Sequence, residues 1–161
     1  MRQLPQFPTC DDPTPLGFGN HVRVVIADDE RDTVMTLGIL LRSEGFDVRL
    51  LQGGADVPKA VAAAHPHAVL LDIGMPDRDG YELARELKRT YGDRCPMLIA
   101  VTARVSDADR TKASASGFDH YIPKPYNATE LLQLMSSLQP ATGVEKPRLQ
   151  RQPRCQYGPP R

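Results

Sequence analysis

The chain has 161 residues, 40% of them hydrophobic and 25% charged, enough for one domain with a full core plus tails. Its 20 basic and 20 acidic side chains cancel, so no global field recruits nucleic acid or an anionic membrane. The balance is uneven along the chain: residues 141–161 carry five basic groups and one acid, which leaves the first 140 mildly acidic.

Cys10, Cys95 and Cys155 are scattered, without CxxC or Cys/His spacing, which argues against a disulfide framework or a zinc site. No apolar run approaches the roughly 18 residues of a membrane span. Met1 to Thr14 lacks the basic-then-apolar order of a signal peptide. The expectation is a cytoplasmic protein.

Residues 1–20 hold Pro5, Pro8, Pro13 and Pro15 without hydrophobic periodicity and predict a disordered extension. The first strand is expected at Val22–Ala27, running into Asp28-Asp29-Glu30. A helical stripe of Val34, Leu37 and Leu41 follows, closed by Gly45, and then a strand at Val48–Leu51. Val57–Ala64 is a weaker helix, since Pro58 fits only its first turn. A third strand, Ala68–Leu71, leads to Asp72 within Leu71-Asp72-Ile73-Gly74-Met75-Pro76-Asp77-Arg78-Asp79-Gly80. Leu83 and Leu87 mark the next helix, and Met97–Val101 a strand ending in Thr102-Ala103. A fourth helix stops at Gly117; Asp119–Ile122 then leads into Lys124-Pro125. Asn127 caps a last helix with a stripe of Leu131, Leu134, Met135 and Leu138. Residues 141–161, with Arg148, Arg151 and Arg154 among prolines, predict a basic tail.

Runs such as Val24-Val25-Ile26 and Val69-Leu70-Leu71 suit strands covered on both faces. Five βα units in succession imply an α/β fold with a doubly wound five-stranded parallel sheet. That architecture binds ligands at the carboxyl ends of its strands, and every conspicuous polar group here falls on that rim. Crowded carboxylates repel one another, and a divalent cation with hard oxygen ligands relieves the repulsion; Mg²⁺ suits such a site. Lys124 adds a point charge for a phosphate oxygen, and Thr102 a hydroxyl donor. Together they make the equipment for phosphoryl transfer to a carboxylate. Singly, each piece has a plainer reading: an acidic turn, a β-forming Thr, a loop Lys. The conjunction on one rim favours chemistry.

At these residues the chain resembles the receiver domains of two-component response regulators and hybrid histidine kinases. The resemblance runs from about His21 to Gln139, with 30 residues from Asp72 to Thr102 and 22 from there to Lys124. It implies a flavodoxin-like (βα)5 fold with strand order 2-1-3-4-5 over residues 21–140. It makes Asp72 the phosphoacceptor, Asp29 a direct Mg²⁺ ligand and Asp28 a ligand through water. The backbone carbonyl of Gly74 completes the protein ligands. Thr102, Ala103 and Lys124 would bind the phosphoryl group, and Thr102 with Tyr121 would form the switch. The Lys124–Pro125 bond would be cis. Gly74, without a side chain, and Arg104 depart from the commoner pattern at two positions flanking the path of attacking water.

The resemblance also implies partners: a histidine kinase or histidine phosphotransfer protein as donor, and a downstream protein on the face of the fourth helix, fifth strand and fifth helix. The expected role is a signalling phosphoacceptor, with its own phosphorylation and slow dephosphorylation the only reactions. With 22 residues after Gln139, no DNA-binding domain is expected within this sequence, and no membrane partner. Two rivals carry less weight. A flavin-phosphate binder would want a Ser/Thr/Gly-rich loop where Asp28-Asp29-Glu30 stands, and a scaffold that has lost its chemistry would not need the intact acidic set. A hydrolase lacks an evident general base.

Overall fold

Among the described residues, alternating aliphatic runs and amphipathic stripes settle into five strands and five α-helices. They are β1 (Arg23–Asp28), α1 (Arg31–Ser43), β2 (Asp47–Gln52), α2 (Val57–Ala64), β3 (Ala68–Leu71), α3 (Gly80–Tyr91), β4 (Met97–Thr102), α4 (Asp107–Ala115), β5 (His120–Pro123) and α5 (Ala128–Ser136). The computed structural model describes residues 21–138. The expected N-terminal extension and basic tail, with Cys10 and Cys155, lie outside the described residues.

The strands form one parallel sheet in the order β2-β1-β3-β4-β5. The winding therefore reverses at β1, whose neighbours are β2 and β3, and this opens a crevice between the carboxyl ends of β1 and β3. Period-two alternation divides β1 between two cores. Val25 and Ala27 pack with Val57, Val61, Leu83 and Leu87 on the side of α2 and α3. Val24 and Ile26 pack with Leu37, Leu41, Leu131 and Met135 on the side of α1 and α5.

The expected strands are found, with ends displaced by a residue. Asp28 and Thr102 continue their strands because the ladder is a backbone device: Asp28 pairs with Gln52 and Thr102 with Pro123. Glycines at positive φ close the first and fourth helical segments, Gly45 at 87° and Gly117 at 101°. Asn127 caps α5 by accepting the Thr129 N–H. Leu138 falls beyond α5, yet packs half-buried against the same core. Among the described residues, no helix is long and apolar enough to cross a membrane.

Candidate functional site

The acid end of the crevice is assembled by backbone bonds first. The Asp72 N–H donates to the Ala27 carbonyl at 2.9 Å, drawing the exit of β3 onto β1. The Lys124 N–H donates to the Thr102 carbonyl at 2.8 Å, fixing the exit of β5 against β4. Gly80 closes the loop after Asp72: a Cβ there would stand 2.6 Å from the Asp72 carbonyl oxygen, so only glycine lets α3 start this close.

Three carboxylates meet as a result. Asp28, Asp29 and Asp72 each offer an oxygen within 4.8 Å of the others. Asp28 is 1% exposed and Asp72 7%, whereas Asp29 faces solvent. Asp28 Oδ1 accepts the Glu30 N–H at 2.9 Å, and its Oδ2 accepts Lys124 Nζ at 2.5 Å. The same ammonium stands 4.0 Å from Asp72 Oδ2. Burial pushes the Asp28 carboxyl above its ordinary range, and the Asp72 charge adds to the rise; Lys124 and the Glu30 N–H oppose it. For Lys124, burial favours the neutral amine, but the bond to Asp28 and the charges of Asp72, Asp28 and Glu30 prevail and raise its pKa. Lys124 stays an ammonium ion.

One ammonium against three carboxylates leaves an excess of negative charge on hard oxygen donors. That donor set fits a divalent cation of the Mg²⁺ type. Gly74 keeps one side of the acceptor open, since a Cβ at this position would lie 3.7 Å from Asp72 Oδ2. A cleft of about 190 Å³ lined by Gly74, Asp79, Tyr81, Arg104 and Lys112 opens there.

The remaining expected residues lie on the β4–β5 side. Thr102 is 1% exposed, and its Oγ1 accepts the Arg104 N–H at 3.3 Å; Ala103 beside it is exposed. Tyr121 is half-buried, and its hydroxyl is buried without a hydrogen-bond partner among the described residues. The Lys124–Pro125 bond is cis. Two contributors escaped the sequence reading. Asp79 caps α3 by accepting the Tyr81 N–H at 2.9 Å, and Asp77 Oδ2 accepts the Gly54 and Ala55 N–H groups, tying the β2–α2 loop to the loop after Asp72. The Asp79-Gly80 pair ahead of a helical stripe was the signal available for the first; nothing local announces the second.

Residues 24–136 match the sequence model of the response regulator receiver domain. The response regulator MprA of Mycobacterium sp. (strain KMS) is 38% identical over 132 residues, covering 80% of this chain and 56% of that protein. The chain thus spans about half the length of the curated relatives it matches. A CheY-like receiver domain protein of known structure from Methanospirillum hungatei JF-1 aligns with a TM-score of 0.67 at 25% identity, covering 73% of this chain and 92% of that one. The BeF3-activated DrrB receiver domain aligns with a TM-score of 0.66 at 27% identity, covering 73% and 97%.

Proposed function

The chain belongs to the response regulator receiver family of two-component signalling, and we propose that within it Asp72 accepts a phosphoryl group from a phosphohistidine in a Mg²⁺-dependent reaction. One observation carries the reading: Asp28, Asp29 and Asp72 converge within 4.8 Å at the sheet's switch point, with Lys124 between two of them.

An Asp72 carboxylate oxygen forms the new bond to phosphorus as the bond to the donor's imidazole nitrogen breaks. Asp28, Asp29, Asp72 and the Gly74 carbonyl would hold a Mg²⁺ ion, which would supply charge neutralisation for the transferred group. Asp28 has both oxygens engaged while Asp29 is exposed, which favours Asp29 as the direct ligand and Asp28 as one acting through water. Lys124 holds its ammonium where a phosphoryl oxygen on Asp72 would need it, and Thr102 with the Ala103 N–H supplies hydrogen bonds. The product carries about −1.5 to −2 charges and biases the two-state arrangement of Thr102 and Tyr121.

The donor, a histidine kinase or phosphotransfer protein, must dock around this rim. Met35 and Ile39, 45% and 65% exposed on α1, offer it an apolar foothold on the helix that follows Asp28 and Asp29. The output is proposed to pass through the face of α4, β5 and α5 to a downstream protein.

Mass spectrometry after incubation with acetyl phosphate and Mg²⁺ tests the assignment. One addition of about 80 Da is expected, as for a single acyl phosphate. Labelling that persists without a divalent cation, or that maps elsewhere than Asp72, would refute it. BeF3, with which the DrrB receiver domain was activated, is a second probe: it should shift resonances near Asp72 only when Mg²⁺ is present.

A further inference from the structure

The loop after Asp72 is fixed at both ends and bare in the middle. At its start the Asp72 N–H donates to the Ala27 carbonyl, and at its end the Gly80 N–H donates to the Ile73 carbonyl at 3.3 Å. Between them, among the described residues, the backbone of residues 74–77 takes part in no backbone–backbone hydrogen bond. Two side chains hold this stretch instead. Met75 is 6% exposed and packs into the core on the side of α2 and α3. Asp77 Oδ2 accepts the Gly54 N–H at 2.8 Å and the Ala55 N–H at 2.9 Å.

The β2–α2 loop is shaped to receive both. Gly53 sits at φ 105°, and a Cβ there would stand 2.8 Å from Asp77 Oδ2. A Cβ on Gly54 would stand 2.8 Å from Leu83 Cδ1 and 2.9 Å from Met75 Cε. Two adjacent N–H groups on one carboxylate oxygen make charge-assisted bonds, stronger than those between neutral partners. The receiving loop is itself tied to the acid site, since the Gly53 N–H donates to the Asp28 carbonyl at 3.0 Å. The exit of β1 and the segment that carries Gly74 are therefore joined through two consecutive residues, Gly53 and Gly54, with Asp77 as the clasp. Asp77 stands outside the cluster of Asp28, Asp29 and Asp72, so its influence there passes through the backbone it holds.

We propose that Asp77 is a positioning residue for the cation site: by clasping the β2–α2 loop it keeps the Gly74 carbonyl in place relative to Asp28 and Asp29. The inference rests on the Mg²⁺ site proposed above, with Gly74 among its ligands. Without the clasp, residues 74–77 divide their time between the observed arrangement and others. Apparent affinity for a cation then falls in proportion to the fraction that remains competent. The coupling is reciprocal: a bound cation must favour the clasped loop by the same factor by which the clasp favours the cation.

The test is calorimetric titration of the full, unphosphorylated chain with MgCl₂, with amide hydrogen exchange at Gly54 and Ala55 as a second readout. Asp77→Ala should weaken Mg²⁺ binding about three- to tenfold, the effect of one net hydrogen bond on a two-state ratio. Asp77→Asn removes the charge but keeps an acceptor oxygen, and a single oxygen takes both bonds here. It should bind within about twofold of the wild type. Mg²⁺ should slow exchange of the Gly54 and Ala55 amides in the wild type and not in Asp77→Ala. Ser106→Ala, which removes the side chain that caps α4, controls for general destabilisation and should bind as the wild type does. Equal affinity in Asp77→Ala, an Asn variant as weak as Ala, an equal loss in Ser106→Ala, or wild-type exchange that ignores Mg²⁺ each overturns the proposal. A wild type that takes up no Mg²⁺ fails differently: it refutes the cation site itself, and this inference with it.

Discussion

At the β1–β3 end of the rim, the reactive groups stand on fully buried backbone: Asp28 ends a strand whose last five residues are buried, and Asp72 follows four buried residues of β3. At the β4–β5 end, β5 has a single buried residue, α4 has one, and Arg104 and Val105 are exposed. The contrast matches the two roles proposed for these ends. Three like charges within 4.8 Å would spread apart on a yielding scaffold, so the acid site needs a frame that cannot relax. A readout needs two arrangements of similar energy, and thin apolar anchoring keeps their difference small. Substitutions at the first end should strike chemistry and stability, as should those at Lys124, which reaches across to Asp28; the others at the second end should strike readout alone.

The largest effect expected is at Asp72. Asp72→Asn should abolish labelling by acetyl phosphate outright, and equal labelling of that variant would place the chemistry elsewhere. Next comes Lys124→Met, which strands the buried Asp28 charge. In Mg²⁺-free buffer it should lower unfolding free energy by about 3–5 kcal/mol, the usual cost of removing one partner of a buried pair. Adding Asp28→Asn should recover much of that loss. A loss under about 1 kcal/mol by urea titration would mean that water already solvates the pair.

Gly80→Ala probes the frame itself. Its Cβ would meet backbone rather than a movable side chain, so about 1–3 kcal/mol of destabilisation and slower labelling are expected. Gly45→Ala is the control, with strain from φ 87° but nothing within 4 Å. It should cost about 1 kcal/mol and leave labelling alone. If the two variants label at the same rate, close packing beneath Asp72 is irrelevant to its reactivity.

The rim was readable in the sequence because polar residues interrupt aliphatic runs where strands must end, and a parallel sheet gathers those ends on one side. Asp28, Asp72, Thr102 and Lys124 could thus be grouped before any coordinates. The resting partner of Lys124 could not. Its bond to Asp28 spans 96 residues and depends on register and side-chain reach, neither of which leaves a local pattern. Asp77 was equally invisible, since a carboxylate between Pro76 and Arg78 reads as a turn residue. Its bonds to Gly54 and Ala55 arise only when the two loops meet. Gly80 was visible as a letter in the loop after Asp72, but not as the point where α3 meets the Asp72 carbonyl.

On the readout side, Thr102→Ala should still be phosphorylated at Asp72. One hydrogen bond is worth about 0.5–1.5 kcal/mol, or up to about 3 to a charged acceptor, enough to move a two-state ratio roughly tenfold but too little to stop the chemistry. Phosphorylation-induced shifts at Tyr121 and α5 should shrink accordingly. A full wild-type shift pattern in the phosphorylated variant would leave Thr102 a strand-end residue only.

The smallest effect is expected farthest from the rim, where β1 and β3 begin. His67 Nδ1 accepts the Arg23 N–H at 3.0 Å, a role open only to the neutral ring. Burial and then the Arg23 charge lower the His67 pKa below its ordinary 6.5. The unfolded chain therefore takes up this proton at a higher pH than the folded one. The stability His67 contributes is present in full above about pH 6.5 and is lost as pH falls through the lower folded value. Asp28, with its raised pKa, works in the opposite sense over the acid range, so the wild-type curve alone cannot isolate the histidine. His67→Asn isolates it by keeping an acceptor for Arg23 that does not ionise. Between pH 7.5 and 5.5 the urea midpoint should fall further in the wild type than in this variant, while Asp72 labelling at fixed pH stays equal in the two. Equal falls would mean that the proton lost on folding belongs to another group.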